Sequence, residues 1–196
     1  PAAYAAAVTP DRAVADICRI AELLASGEDL ATALGREVDA PPGEWRFRVY
    51  RRDAPAPLSE LLPLLDHLGL QALDERPYVF RLQSGRVYLY DIGVRVGSDV
   101  VLDEARCSAL QQAFCGLLDG TIENDGYNRL VLVAGISARE AAILRAYGKY
   151  LRQIGFPFSQ SYIETALASH PRVVADLVEL FHTRFDPARF GGTAGD

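Results

Sequence analysis

The densest run of chemically capable side chains lies at residues 46–53, where Arg46, Arg48, Arg51 and Arg52 are followed by Asp53. A guanidinium is a rigid fork of donors that matches a carboxylate or phosphate, so this row could receive an anion. It could equally be a solvated sheet face or an interdomain ion-pair surface. The carboxylates Asp74, Glu75 and Asp91 read as structural partners of Arg76 or Arg81 before they read as catalytic groups. His67, His170 and His182 form neither an HxxxH nor an HExxH set, and Cys18, Cys107 and Cys115 have no CxxC spacing. No built metal site is expected from them. There is no Gly-x-Ser-x-Gly, no adjacent nucleophile and base, and no GxGxxG following a strand. Lys149 is the sole lysine and falls at ordinary solvent-facing spacing. A second constellation is aromatic: Tyr147, Tyr150, Phe156, Phe158 and Tyr162 cluster around Gly155, either as the core of a helix bundle or as a docking surface.

Length and composition bound what can position these groups. A chain of 196 residues, 49% hydrophobic, can bury a core without staples, as one ordinary domain or two small ones. Its formal net charge of −6 argues against diffuse attraction to nucleic acid or to an anionic membrane. Cys107 and Cys115 on one helix would lie roughly 12 Å apart, too far for a disulfide, which fits a reducing cytoplasm. The opening alanine-rich run lacks a basic flank and soon meets Pro10, Asp11 and Arg12, so it is neither a secretory signal nor a membrane span. A start at Pro1 and a trailing GGTAGD suggest an excised segment, although removal of an initiator Met would look the same.

The positioning elements follow from spacing. Thr9-Pro10-Asp11 opens a helix through Val14, Ile17, Cys18, Ala21 and Leu24 to Ser26-Gly27, amphipathic and in need of a surface. In Glu44–Arg52, Trp45, Phe47 and Val49 alternate with Arg46, Arg48 and Tyr50, a strand with one core face and one wet or anion-facing side. Leu58, Leu61, Leu62, Leu65 and Leu68 keep helical spacing up to Gly69. Residues 70–82 and 86–96 read as an antiparallel pair joined through Gln83-Ser84-Gly85. Cys107, Leu110, Phe114, Leu117 and Leu118 mark a second covering helix ending at Gly120. The sum is βαββα, a two-layer α+β sandwich with an antiparallel sheet and helices on one face. TIENDGYN at 121–128 is the expected boundary, and 129–134 is expected to be a short helix. Ser137 and Glu140 then predict a capping box. In the helix they open, Ile143, Leu144, Tyr147, Leu151 and Ile154 form a greasy side, with Arg139, Arg145, Lys149 and Arg152 on a basic one. Gly155-Phe156-Pro157 stops it, Ser159 or Ser161 starts the next, and Pro171 opens a last helix striped by Val173, Val174, Leu177, Val178, Phe181 and Phe185.

The run LRAYGKYLRQIGFPFSQSYIETALASHPRVVADLVELFHTRFDP resembles the helical segment of the large bacterial NAD-specific glutamate dehydrogenases, upstream of their catalytic region. VYRR at 49–52, PLSELLPLLDHLGL at 57–70 and ERPYVFRL at 75–82 are similar to an ACT-like domain of the same enzymes. The resemblance implies a leading helix at 1–27, an ACT-like (ferredoxin-like) domain at 28–120 whose βαββα unit is preceded by an extra strand within 28–38 paired to the next across Ala40-Pro41-Pro42-Gly43, a helical module at 121–187 and a flexible tail at 188–196. It implies NAD as a cofactor of the parent enzyme and none in this segment, where no glutamate dehydrogenase site can be assembled. Other domains of the same long chain would be its partners, in a homo-oligomeric parent. ACT domains often bind a small amino acid where a strand meets its first helix, which makes Arg46, Arg48, Arg52 and Asp53 candidates for an effector carboxylate. The expected role is a non-catalytic regulatory or scaffolding segment; the alternative is a free-standing small-molecule-binding or interaction domain of ACT-like fold.

Overall fold

The computed structural model describes residues 1–98 and 100–187, so the expected tail at 188–196 lies outside the described residues. Helices α1 (Ala2–Ala7) and α2 (Pro10–Ser26) lead into strands β1 (Leu30–Gly35) and β2 (Glu44–Arg52). Helix α3 (Leu58–His67), strands β3 (Gln71–Leu82) and β4 (Gly85–Arg95), and helix α4 (Glu104–Leu118) complete the sandwich. The four strands are antiparallel in the order β1-β2-β4-β3. The edge beside β2 is therefore closed by the strand that precedes the βαββα unit.

Alternation in β2 sets the first layer. Phe47 and Val49 face α3 and α4 and meet Leu61, Leu65, Leu110 and Phe114 in a dry core, with the Phe47 and Phe114 rings 4.8 Å apart. Helix α3 stops where Gly69 takes φ +82°, a left-handed conformation that costs glycine nothing, while the Leu70 N–H returns to the Leu65 carbonyl at 2.9 Å. The β3–β4 turn is tighter than expected, with Leu82 paired to Gly85 across Gln83-Ser84.

The opposite sheet face was expected to be wet, and it is not. Helix α2 lies over it, and Tyr4, Ile20 and Leu23 pack on Tyr50, Tyr78, Val87 and Leu89. The docking stripe also differs from the predicted one: Ala13, Asp16, Ile20 and Leu23 turn toward the sheet, whereas Val14 and Ile17 stay about 60% exposed. Tyr50 and the arginines of β2 offer polar partners, so the helix presents the side that carries Asp16 rather than its most uniformly apolar one.

A 3₁₀ turn (Gly126–Asn128) and helices α5 (Arg129–Val133), α6 (Ala138–Gln153), α7 (Gln160–Ala168) and α8 (Pro171–Phe185) follow. Val131 and Leu132 of α5 join the sandwich core, while Leu130 belongs with Tyr127, Ile136, Ala141, Leu144, Val174 and Val178 in a separate cluster. The capping box forms as its spacing requires: Glu140 N–H donates to Ser137 Oγ at 3.2 Å, and Ser137 N–H donates to the Glu140 carboxylate at 2.7 Å. Ser159 caps α7. Arg145, assigned to the basic side of α6, is instead buried, donating to Asp125 at 2.6 and 2.8 Å and to Asn128 at 2.9 Å. Its partners come from the turn at 123–128, where wheel position alone could not place them. Gly148 admits the Tyr127 phenol onto the α6 backbone, where any Cβ would collide with the hydroxyl.

Alanine at position 148 should gain up to ~1 kcal/mol in helix propensity and lose more, about 1–3 kcal/mol, by overpacking. Urea unfolding of Gly148→Ala should therefore show net destabilisation, partly recovered in Gly148→Ala/Tyr127→Phe. A Gly148→Ala chain as stable as the parent would mean that the ring is not seated there.

Candidate functional site

Strand register decides what the arginines do. Arg48 stands opposite Asp91 and Arg46 opposite Gly93, so both side chains share a face with the Asp91 carboxylate. Arg46 Nε donates to Asp91 Oδ1 at 3.0 Å, its Nη2 to the Asp91 carbonyl at 2.6 Å and its Nη1 to Asp74 Oδ1 at 2.6 Å. Arg48 Nε lies 3.1 Å from the same Asp91 oxygen, with Glu37 at the rim at 3.7 Å. Arg46, Arg48 and Asp91 are 6%, 2% and 3% exposed, so this is an interior charge cluster. The predicted pairing of Asp91 with Arg76 or Arg81 is replaced by these contacts, because β2 and not β3 supplies the inward-facing guanidinium groups.

Asp16, absent from the predicted set, closes the cluster from α2. Its carboxylate accepts from Tyr4 Oη at 2.6 Å, and also from Tyr50 Oη and Arg12. Burial, then hydrogen bonding to Asp16, raises both phenols well above the ordinary tyrosine range, so they stay donors. Burial lowers Arg48 against the pull of Asp91, whereas for Arg46 the bonds to Asp91 and Asp74 outweigh the desolvation. A signal for Asp16 was present in the sequence: it sits on one stripe with Ile20 and Leu23, an acid where an apolar residue belongs.

The other two candidates stand apart from that cluster. Asp53 adopts φ 57° at the end of β2, donating its N–H to the Arg86 carbonyl and accepting the Arg86 N–H, both at 2.8 Å. Arg52, at the rim, pairs with Asp29 at 3.2 Å and lies 3.9 Å from Asp53. A carboxylate arriving at this turn would meet Arg52 without Arg46 or Arg48, which are buried against Asp91. Among the described residues no group of His, Cys, Asp or Glu could hold a metal ion, and no helix is long and apolar enough to cross a membrane.

The aromatic set resolves onto the surface. Tyr147, Tyr150, Phe156, Phe158 and Tyr162 are all between 42% and 57% exposed. Phe158 stacks on Tyr162 with ring centroids 4.5 Å apart, Phe156 tilts against Phe158 at 5.1 Å, and Ile154 extends the ledge. Helix α8 buries Val174 and Val178 and leaves Val173, Leu177, Leu180 and Phe185 outside. It is tied to α6 by His182 Nε2, 2.8 Å from Glu140 Oε1. For Glu140, desolvation raises the pKa, but the Ser137 backbone bond, the His182 contact and the Ser137 hydroxyl together hold it below the ordinary glutamate range.

An antiparallel sheet with α3 and α4 on one face, followed by a compact helical module, defines an ACT-type α+β segment. A model of the glutamate dehydrogenase ACT3 domain matches residues 29–107, and one of glutamate dehydrogenase helical motif 3 matches residues 122–187. The chain is 38% identical to the NAD-specific glutamate dehydrogenase of Halomonas elongata over 194 residues, 98% of this chain and 12% of that enzyme. It is 38% identical to the enzyme of the same description from Pseudomonas aeruginosa over 193 residues, 96% of this chain and 12% of the relative. Against the Mycobacterium tuberculosis enzyme the identity is 36% over 199 residues, again 98% and 12%. The chain belongs to the family of large NAD-specific glutamate dehydrogenases, and it spans only 12% of the length of these curated relatives.

Two measurements check the electrostatics. Asp91→Ala leaves two guanidinium groups buried without their shared partner and should cost about 3–5 kcal/mol, while Asp74→Ala, whose side chain is 51% exposed, should cost under ~1 kcal/mol. Equal small losses in urea unfolding would show the cluster to be hydrated. For Glu140 the folded pKa lies below the unfolded one of ~4.3, so its contribution is complete above that value and vanishes as pH falls through the folded one. The stability gap between wild type and Glu140→Gln should therefore be full at neutral pH and narrow below about pH 4. A gap constant down to pH 2 would contradict the depressed pKa.

Proposed function

We propose that this chain is a non-catalytic scaffolding segment of a large NAD-specific glutamate dehydrogenase, holding other domains of the same polypeptide through its helical module. The observation that carries the reading is the uncovered aromatic ledge of Ile154, Phe156, Phe158 and Tyr162, together with the exposed stripe of α8. Aromatic side chains bury large area at little entropic cost, which suits them to an interface and makes their exposure to water unfavourable. The occupant of the ledge is the remaining polypeptide of the parent enzyme, because relatives of which this chain covers 12% carry some eight times its length. NAD and the glutamate-deaminating chemistry belong to other regions of that enzyme, a cytoplasmic homo-oligomer. The arginines of β2 and α6 favour scaffolding over catalysis: Arg46, Arg48 and Arg145 are buried against Asp91 and Asp125 rather than open to a substrate anion.

The test is made in the full-length dehydrogenase. Phe158→Asp and Tyr162→Asp should lower its thermal midpoint by several degrees or release subunits in sedimentation, with KM for glutamate and NAD unchanged in the surviving enzyme. Intact assembly and stability would sink the docking role. A raised KM in a fully assembled variant would instead place the ledge at a substrate site.

A further inference from the structure

A cavity of about 850 Å³ opens at the end of the sandwich where β2 begins and β4 finishes, against the first turn of α5. Its walls join three kinds of surface. Trp45, Leu102 and Leu132 supply an aromatic plane and apolar flanks, and Arg36, Arg95 and Arg129 supply cations. Among the described lining residues there is no aspartate or glutamate, in a chain whose net charge is −6. Three guanidinium groups thus stand together among the described walls, and low-dielectric walls focus the field of such a group of charges.

These guanidinium groups are not consumed as those of β2 are. Arg36 gives one N–H to the Ala40 carbonyl at 2.8 Å, and Arg95 pairs with Glu44 at 2.9 Å in the open, its side chain 51% exposed. Each keeps further donors of its five. The Arg129 backbone N–H closes the 3₁₀ turn onto the Gly126 and Tyr127 carbonyls, while its guanidinium makes no hydrogen bond or ion pair with a described residue. Its stem is held under Gly69, where a Cβ would approach Arg129 Cγ to 3.1 Å and Leu132 to 3.0 Å. A three-dimensional pocket of several hundred Å³ with an apolar wall and a few convergent polar groups is the ordinary form of a small-molecule site.

We propose that this cavity binds a small organic anion with a flat apolar body, the ring lying against Trp45 and the phosphate or carboxylate received by Arg129 with Arg36 and Arg95. The site lies apart from the strand-to-helix turn at Asp53, roughly 26 Å from Trp45 along the strand at ~3.3 Å per residue. It is lined from both sides of the chain's main junction, by Trp45 and Arg95 of the sandwich and by Arg129 and Leu132 of α5. Occupancy therefore stiffens the contact between the two modules.

Trp45 is the only tryptophan in the 196-residue chain, so its emission reports the site directly. Phenyl phosphate and phenylacetate, titrated separately into this chain, should each or singly give a saturable emission change at millimolar concentration or below. Which of the two binds more tightly assigns the head group. Inorganic phosphate alone should bind at least tenfold more weakly, and added salt should weaken binding. Arg129→Gln should raise the Kd at least tenfold with an unchanged far-UV spectrum, while Arg19→Gln, on the outer side of α2, should leave it unaltered. No saturable response to either ring compound by the folded chain, equal affinity in Arg129→Gln, or equal affinity for inorganic phosphate would overturn the proposal. The scaffolding role is read from assembly of the whole dehydrogenase, so the two can fail separately.

Discussion

The interaction on which the sandwich depends is the burial of two arginines against one aspartate on the sheet face that carries no α3 or α4. Moving Arg46, Arg48 and Asp91 out of water is costly, and one carboxylate cannot balance two guanidinium groups in a low-dielectric interior. The structure completes the balance from outside β2 and β4. Asp74 reaches Arg46 from β3, while α2 brings Asp16 together with its own cation, Arg12. Asp16, Asp74 and Asp91, with Glu37 at the rim, then face Arg12, Arg46 and Arg48. Geometry rather than charge count makes this durable: the Asp91 oxygen is shared by both β2 arginines, and Asp16 is also fixed by two phenols.

This requirement explains why α2 is more than a leader to the ACT-type domain. Without it, Tyr50 and Arg48 would lie open on the sheet, and Ile20 and Leu23 would lose the apolar surface of Val87 and Leu89. Electrostatics fixes the register of the helix, and the adjoining apolar cluster supplies the burial. A purely apolar stripe could slide along the sheet, whereas Asp16 has one position from which it meets Tyr4, Tyr50 and Arg12 together.

Local signals were legible in the sequence and partnerships across the fold were not. The Ser137–Glu140 capping box and the β2 alternation are rules about neighbours, so spacing alone determined them. The face given to each arginine was another matter. Alternation places Arg46 and Arg48 on the side opposite Phe47, but a hydrated row and an ion-paired interior row have the same period. The distinguishing residues, Asp91 and Asp16, lie 45 positions after and 30 before Arg46. Arg145 follows the same pattern, its fate set by a turn twenty residues upstream. An acid on an apolar helix stripe was the visible clue to the first case; Arg145 gave none.

Where charge is closed inward, apolar surface is left facing out. Val14 and Ile17 on α2, the α8 residues Leu177, Leu180 and Phe185, and the ledge at 154–162 are all substantially exposed. In a free domain such residues would be expected to turn inward, because burying each is worth about 1.5–3 kcal/mol. They do not turn because the inward positions are occupied: α8 already seats Val174 and Val178 on the Tyr127 cluster, and α2 is pinned by Asp16. A helix with two apolar stripes and only one core to fill presents the second to whatever adjoins it. The same geometry keeps the exposed stripes on rigid, capped helices rather than on loops, which reduces the ordering entropy that docking must overcome. An inward network of ion pairs with outward apolar stripes leaves a body whose core is complete while a second set of apolar side chains stays outside it.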